Sequence, residues 1–472
     1  MIQAGSTAKK QESKFFLGEI SDAIEDRDHY QLFYELFARA LKFRGSWLLP
    51  MRIQNKISEV AHWSDFKKIF TAIVSEGMLS FSNFVIGILM IRYATKSDYG
   101  IYVLLYSFIG ILAALQNGII NAPLVVSINR KNETEKRIYV SSLSAGKNYL
   151  FFPLVLLAAI MGSIYCAIKG SPNIYTIEIF VLSAVAMIYV SKEFVRVLFF
   201  VKLDTNSIFR MDLLNVLIIL IGMLLLVCFN ALSSLGAIIV LGCGYSVSFI
   251  YGKRNGVDYS SRTSKSIKEA LKENWAYGKW ALLGVASGLL QERGYIYIVS
   301  GLLGLSNVAD IAAARLFLMP INLLNVGSAR IAVAKGSKIL ATNRNHEFRK
   351  FFFWFVALLL LITIIYIVFI ILASDLLIDV LGKKYVNTQG LIFLWSIFYL
   401  IFTIRYQLGM ALVAYRQFKI QARYDIYGST IAIASCFILV LEIGRAGAII
   451  SLMLGEFVTM IFYLKLYLGF KK

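Results

Sequence analysis

Proline, cysteine and histidine are scarce in this chain of 472 residues, which holds 5 prolines, 4 cysteines and 3 histidines. His29, His62 and His346 stand at unrelated positions outside the long apolar runs, which argues against a histidine-based metal or triad site. Cys166, Cys228, Cys243 and Cys436 sit singly within apolar runs, without CxxC spacing. Neither a disulfide framework nor a zinc site is therefore expected, and each cysteine reads as a small buried apolar side chain. No GxxxxGK[ST] occurs, so ATP hydrolysis by a P-loop is excluded. The first residues are polar and show no short apolar core with a small-residue cleavage site, so no cleavable signal peptide is expected. Charge is also sparse, at 16% of residues.

Apolar surface fills the place of what is missing. With 58% hydrophobic residues and a mean hydropathy of +0.69, the composition suits a chain whose solvent is mostly lipid. A hydrocarbon core of about 30 Å needs roughly 20 helical residues to cross it, and about twelve runs qualify. They fall at 69–93, 100–127, 149–168, 175–201, 207–230, 234–252, 279–303, 307–333, 351–374, 390–415, 424–443 and 446–468. The fold class expected is thus an all-α polytopic membrane protein with about twelve transmembrane helices.

Of 48 lysines and arginines, about 38 lie in alternate connections that would face one side of the membrane, and about 6 in the other set. That bias predicts both termini in the cytoplasm. The net charge of +20 is spread through short loops beside apolar runs, where attraction to an anionic leaflet explains it better than nucleic acid does. The longest interior connection divides the runs six and six, predicting an organisation of 1–68, 69–252, 253–278 and 279–472. These are an N-terminal extension, a six-helix bundle, a basic cytoplasmic linker and a second six-helix bundle. A weak internal echo sets Ser97-Asp98-Tyr99-Gly100-Ile101-Tyr102 opposite Ser306-Asn307-Val308-Ala309-Asp310-Ile311, and the same offset pairs Asn83 with Glu292. Such a repeat implies two halves related by a pseudo-two-fold axis, with a site between them. In the extension, Phe33, Leu36, Phe37, Ala40 and Leu41 lie on one helical face, which predicts a basic amphipathic helix over 30–47 at the inner leaflet. Asp26-Arg27-Asp28 has the spacing of a metal-binding carboxylate pair, but reads as a solvated charge run because too little chain surrounds it for a nucleotide-binding fold.

A charge at mid-bilayer costs about 2.5–3.5 kcal/mol, so ionisable residues inside the runs should face a cavity or a partner. Arg293, Arg315 and Arg405 are the candidate anion-binding residues, because guanidinium stays charged when desolvated and grips phosphate oxygens through parallel donors. Pairing with a neighbouring-helix carboxylate is the competing explanation for Arg293, and a place near the membrane interfaces for Arg315 and Arg405. Glu76 and Glu292 are candidates for coupling a proton or sodium ion, with pairing to arginine the alternative. Glu456 lies in the last run. Arg210 and Asp212 are explained by snorkelling or by pairing with each other. Asn83 and Asn117, with Ser75, Ser80, Ser82, Gln116 and Asn121, could bond sugar hydroxyls or join helices, and Pro123 could provide a hinge.

The chain resembles the polysaccharide-repeat flippases (Wzx-like) of the multidrug/oligosaccharidyl-lipid/polysaccharide exporter superfamily. The likeness rests on Met90-Ile91-Arg92-Tyr93-Ala94 leading into Ser97-Asp98-Tyr99-Gly100-Ile101-Tyr102, on Gln116-Asn117-Gly118 followed by Ala122 and Arg130, and on Lys268-Glu269-Ala270-Leu271-Lys272 before Gly278. It spans roughly 69–470, and departs from the family in the N-terminal extension and at Ala309 and Ile311. The resemblance implies two six-helix bundles forming a V around a cationic cavity, and movement of undecaprenyl-diphosphate-linked oligosaccharide across the bacterial inner membrane for O-antigen, capsule or exopolysaccharide. It places Glu76, Asn83, Glu292, Arg293 and Arg315 at that cavity. It further implies no cofactor and no catalysis, with membrane lipids, a polysaccharide polymerase and a chain-length regulator as partners. The competing readings are a multidrug or cation exporter of the same superfamily, which would favour an acidic, aromatic-lined pocket; a membrane-embedded glycan polymerase or ligase, which would want a large exterior loop; and a non-transporting scaffold.

Overall fold

The computed structural model describes residues 63–128, 131–170, 173–256, 264–340, 342, 344–415 and 417–469. The amphipathic helix expected over 30–47 and the Asp26-Arg27-Asp28 run lie outside the described residues. Phe70–Lys472 forms one compact unit. Helices α1 (Trp63–Tyr93), α2 (Lys96–Gln116), α3 (Ala122–Ile128), α4 (Glu133–Ile168), α5 (Asn173–Val201), α6 (Thr205–Cys228) and α7 (Ser234–Gly256) make the first half. The second holds α8 (Ser264–Leu303), α9 (Leu305–Leu316), α10 (Met319–Leu340), α11 (Asn345–Leu372), α12 (Ser374–Leu381), α13 (Gln389–Ala414), α14 (Phe418–Ile443) and α15 (Arg445–Gly469). No strand occurs among the described residues.

Each of the twelve apolar runs is helical, but not all twelve are equally suited to lipid. Among the described residues ten helices are long and apolar enough to cross a membrane by themselves, and α9 with α10, bent by 55°, counts as an eleventh when the pair is taken as one broken span. The seventh run, in α8, falls short because Gln291, Glu292 and Arg293 interrupt its middle. Residues 264–278 form the first turns of that helix.

Local chemistry sets the ends. Thr95 caps α2 by accepting from the Asp98 N–H at 3.0 Å, and Asn132 and Glu135 form a reciprocal capping box at the start of α4. Gly304, at φ 88°, supplies the left-handed turn that lets α9 follow α8 at once. The cysteines divide: Cys166 and Cys436 are buried as expected, whereas Cys228 and Cys243 are exposed. On a helix surface turned to lipid a thiol needs no burial to leave water, so apolar character did not require an interior position.

The basic connections alternate along the chain with the others, so the helix ends beside them are grouped as the basic face and the remaining ends as the opposite face. The halves meet mainly where α8 packs on α2 and α4, and where α9 packs on α2. On the opposite face the approach is close: a Cβ on Gly100 would lie 2.0 Å from the Leu305 carbonyl oxygen. There Asp310 of α9 pairs with Lys96 of α2 at 2.7 Å and with Arg445 of α15 at 2.5 Å, while Lys384 donates to the Ala94 carbonyl.

The basic face is also joined, along α4 and α8. Lys131 pairs with Glu273 at 2.9 Å, Ser142 donates to Ser266 at 2.9 Å, and Gly278 passes over Gly118, where a Cβ would lie 3.1 Å from the carbonyl oxygen. Pro123 explains the local shape. Having no N–H, it cannot bond the Ile119 carbonyl four residues earlier, and the chain relaxes into a π-helical segment over Asn117–Asn121. The Asn274 side chain of α8 supplies donors instead, 3.3 Å from the Ile119 and 3.1 Å from the Ile120 carbonyl oxygen, and Tyr139 of α4 donates to Asn274 in turn. The break at Pro123, the expected hinge, is braced by Asn274 of the other half, and side chains from both halves meet along this line.

Candidate functional site

Two groups of charged residues sit within the apolar helices, one in each half. In the first, Arg196 of α5 donates from Nη2 to Glu76 of α1 at 2.8 Å and from Nε to both carboxylate oxygens of Asp212 of α6, at 3.2 and 3.0 Å. Ser75 donates to Asp212 at 2.6 Å, and Lys192 pairs with Glu193 at 2.7 Å. Asp212 is fully buried whereas Arg210 is exposed. The expected pairing of Arg210 with Asp212 therefore gives way to Arg196, because on one helix positions two apart point to different sides. Sequence reasoning misses Lys192, Glu193 and Arg196. Their signal was available: three charged residues inside the apolar run 175–201.

The second group surrounds a cavity of about 290 Å³ lined by α8, α9, α10, α13 and α15, so it lies within the second half rather than between the halves. Arg315, Arg405, Glu292 and Glu456 line it with Gln291, Asn322 and a wall of aromatic rings. Arg405 and Glu456 form a two-point pair, Nε to Oε2 at 2.5 Å and Nη2 to Oε1 at 2.7 Å, while Gln291 donates to Glu456 at 2.8 Å. Asp425 lies 4.0 Å from Arg405. That guanidinium is committed to neighbours.

Arg315 is less engaged. It donates to the Tyr399 hydroxyl at 3.3 Å, lies 5.2 Å from the Trp395 ring centre, and reaches Glu292 only at 3.9 Å. Glu292 stands 3.5 Å from Arg293, and its side chain is 50% exposed. Arg293 does not line this cavity; a Cβ on Gly110 of α2 would lie 3.4 Å from its guanidinium, so it points at the first half. The glutamates differ in setting. Glu76 also keeps a 50% exposed side chain while holding Arg196.

The two asparagines are placed elsewhere. Asn83, exposed on α1, accepts from the Tyr106 hydroxyl of α2 at 3.2 Å, and Asn117 is exposed at the start of the π-helical segment. Gln116 and Asn121 are buried at the same break, with Gln116 donating to the Val190 carbonyl at 2.8 Å, so these two join helices. Arg315 and Glu292 are brought together, with Arg293 beside them; Asn83, Asn117 and Glu76 lie apart from the cavity. Among the described residues no cluster of histidine, cysteine or carboxylate side chains could hold a metal ion.

The two groups are related. The offset of 209 residues that takes Ser97 to Ser306 and Asn83 to Glu292 also takes Arg196 to Arg405. Each arginine rises from the fourth span of its half toward a carboxylate on the fifth, Asp212 or Asp425. A similar correspondence holds on the opposite face, where Asp98 accepts from Ser234 at the start of α7 and Asp310 from Arg445 at the start of α15. Paired contacts of this kind are what an internal repeat predicts.

No family model matches the sequence, and no curated protein matches it. Solved structures do. An inward-facing multidrug-resistance MATE family transporter of the MOP superfamily is 15% identical, with 82% of this chain and 93% of that one covered and a TM-score of 0.68. The lipid II flippase MurJ, in an inward closed conformation, is 16% identical over 86% of this chain and 88% of its own, also at 0.68. A MOP superfamily transporter from Pyrococcus furiosus, described by a binding pocket of reverse polarity, is 14% identical over 85% and 95%, at 0.59. At such identities the likeness is one of fold. The chain is a multi-pass α-helical membrane protein with the fold of MOP superfamily transporters.

Proposed function

We propose that this protein is a flippase that moves a lipid-linked oligosaccharide, an undecaprenyl diphosphate carrying a sugar repeat, across the bacterial cytoplasmic membrane by alternating access. The observation that carries the reading is the loosely paired charge of Arg315, which donates to the Tyr399 hydroxyl at 3.3 Å and reaches the half-exposed Glu292 only at 3.9 Å, a carboxylate that also faces Arg293 at 3.5 Å. In a low dielectric such a charge is costly unless an anion joins it. A diphosphate offers acceptors for the Arg315 guanidinium, while Phe402, Tyr406 and Asn322, part-exposed on the cavity wall, present stacking and hydrogen-bonding surface to sugar rings. Arg405, closed on Glu456, shapes the wall. Glu76 and Glu292, half-exposed, are the groups that would exchange a proton or sodium ion. The basic face is cytoplasmic, and no step of covalent catalysis is required.

The fold shared with a lipid II flippase supports this reading, and the fold shared with multidrug exporters supports a second. An exporter of hydrophobic cations would use the same aromatic wall with Glu292 and Glu456. Export in spheroplasts separates them: Arg315→Ala and Arg293→Ala should each abolish periplasmic glycan while the protein remains in the membrane. Unchanged export in both, or purified protein thermally stabilised by hydrophobic cations and not by polyprenyl diphosphates, would overturn the flippase reading.

A further inference from the structure

Outside the cavity, Lys147 of α4 is the buried cation for which the candidate site gives no purpose. It is 2% exposed, and its ammonium donates to Asn148 Oδ1 at 2.8 Å and Ser191 Oγ at 2.9 Å, with the Phe194 ring centre 5.8 Å away. Every other well-buried lysine or arginine of the spans has a carboxylate within 4.0 Å; Lys147 has none among the described residues. Neutral acceptors compensate a buried charge poorly, so the position asks for an anion.

Both acceptors of Lys147 open onto a groove of about 790 Å³ between α4, α5, α7 and the first turn of α8. Its walls are apolar, from Phe152, Met187, Ile188 and Phe249, and it lies at the basic-face end of these helices. Tyr149 and Phe152 on its rim are 70% and 57% exposed, as suits a surface covered by acyl chains. A second feature points the same way. Pro153, also in the groove, has no N–H for the Tyr149 carbonyl four residues earlier, so that carbonyl is left without its helical donor on a residue that lines the groove. A cation seated directly behind Asn148 and Ser191, two polar side chains of an apolar trough, together with a carbonyl acceptor in the same wall, matches a phosphate that carries a hydroxyl or ammonium donor and a fatty tail.

We propose that this groove is a binding site for a glycerophospholipid of the anionic leaflet, its phosphate held by Lys147, Asn148 and Ser191 and its head-group donor by the Tyr149 carbonyl. The lipid would pack across α4, α5 and α8, the elements that close the basic face, and so stabilise that closed arrangement. The site is independent of the transport reading.

Native mass spectrometry of the full chain in detergent, with added phosphatidylglycerol or phosphatidylcholine, tests it. The expected result is one phosphatidylglycerol retained at least about five-fold more than phosphatidylcholine, a preference lost in Lys147→Met and in the groove-filling Met187→Trp. Lys268→Gln/Lys272→Gln, on exposed side chains of α8, should keep it. Retention unchanged in Lys147→Met, equal retention of the two lipids, or equal loss in the α8 control would overturn the proposal. If Lys147→Met does not fold, Met187→Trp decides alone: full retention in that variant refutes the site.

Discussion

Removing Glu456 separates an arginine that is part of the scaffold from one that waits for a ligand. Glu456 has a side chain 3% exposed and Arg405 one 17% exposed, and they meet through two contacts of 2.5 and 2.7 Å. Breaking a buried pair by deleting one partner costs about 3–5 kcal/mol, and Asp425 at 4.0 Å offers Arg405 a partial substitute, which sets Glu456→Ala near about 3 kcal/mol. That is over a hundred-fold in the unfolding equilibrium, at about 1.4 kcal/mol per factor of ten. Removing both charges tells a different story. Arg405→Met/Glu456→Met should return to within about 1 kcal/mol of the parent, because the one charge then left, Asp425, is 25% exposed and keeps the Tyr463 hydroxyl at 2.6 Å. Reversible denaturation in mixed micelles reads both variants, and the doubly substituted protein should still export glycan if Arg405 only shapes the wall. Single variants within about 0.5 kcal/mol of the parent would refute the buried-pair argument. A stable double variant without export would return Arg405 to the binding site.

Three further outcomes follow from contacts between the halves. Gly100→Ala places a methyl where only 2.0 Å separates it from the Leu305 carbonyl oxygen, and should cost about 1–3 kcal/mol by forcing α2 from α9, read as a lower unfolding temperature in detergent. Asn274→Ala removes the donors that serve the Ile119 and Ile120 carbonyls beside Pro123, for about 1–3 kcal/mol, and should raise amide hydrogen exchange over 117–128; unchanged exchange there would contradict the brace. Asp310→Asn weakens the contacts to Lys96 and Arg445, and should increase labelling of a cysteine placed at Ser97 by a membrane-impermeant thiol reagent. Labelling equal to the parent would show that the opposite face is held by packing alone.

The amino-acid sequence by itself determined that the twelve apolar runs are helical, and it sorts the connections between them into a basic set and a sparsely charged one. Both depend on local properties, run length and the position of lysine and arginine, that a linear reading captures. It also placed Arg315, Arg405, Glu292 and Glu456 inside spans, where each had to meet either a cavity or a partner. Which of the two each meets was settled by helix packing. Arg405 closes on Glu456, 51 residues away, and Arg196 on Glu76, 120 residues away, because packed helices bring together positions that no spacing rule relates. The same holds for the place of the cavity, within the second half, and for Asn274 serving carbonyls freed by a proline in the other half. Lipid solvation rewards any apolar helix surface alike, so hydropathy fixes that a segment crosses the membrane, while the side chains it turns toward its neighbours are chosen only when buried polar groups find donors and acceptors across the bundle.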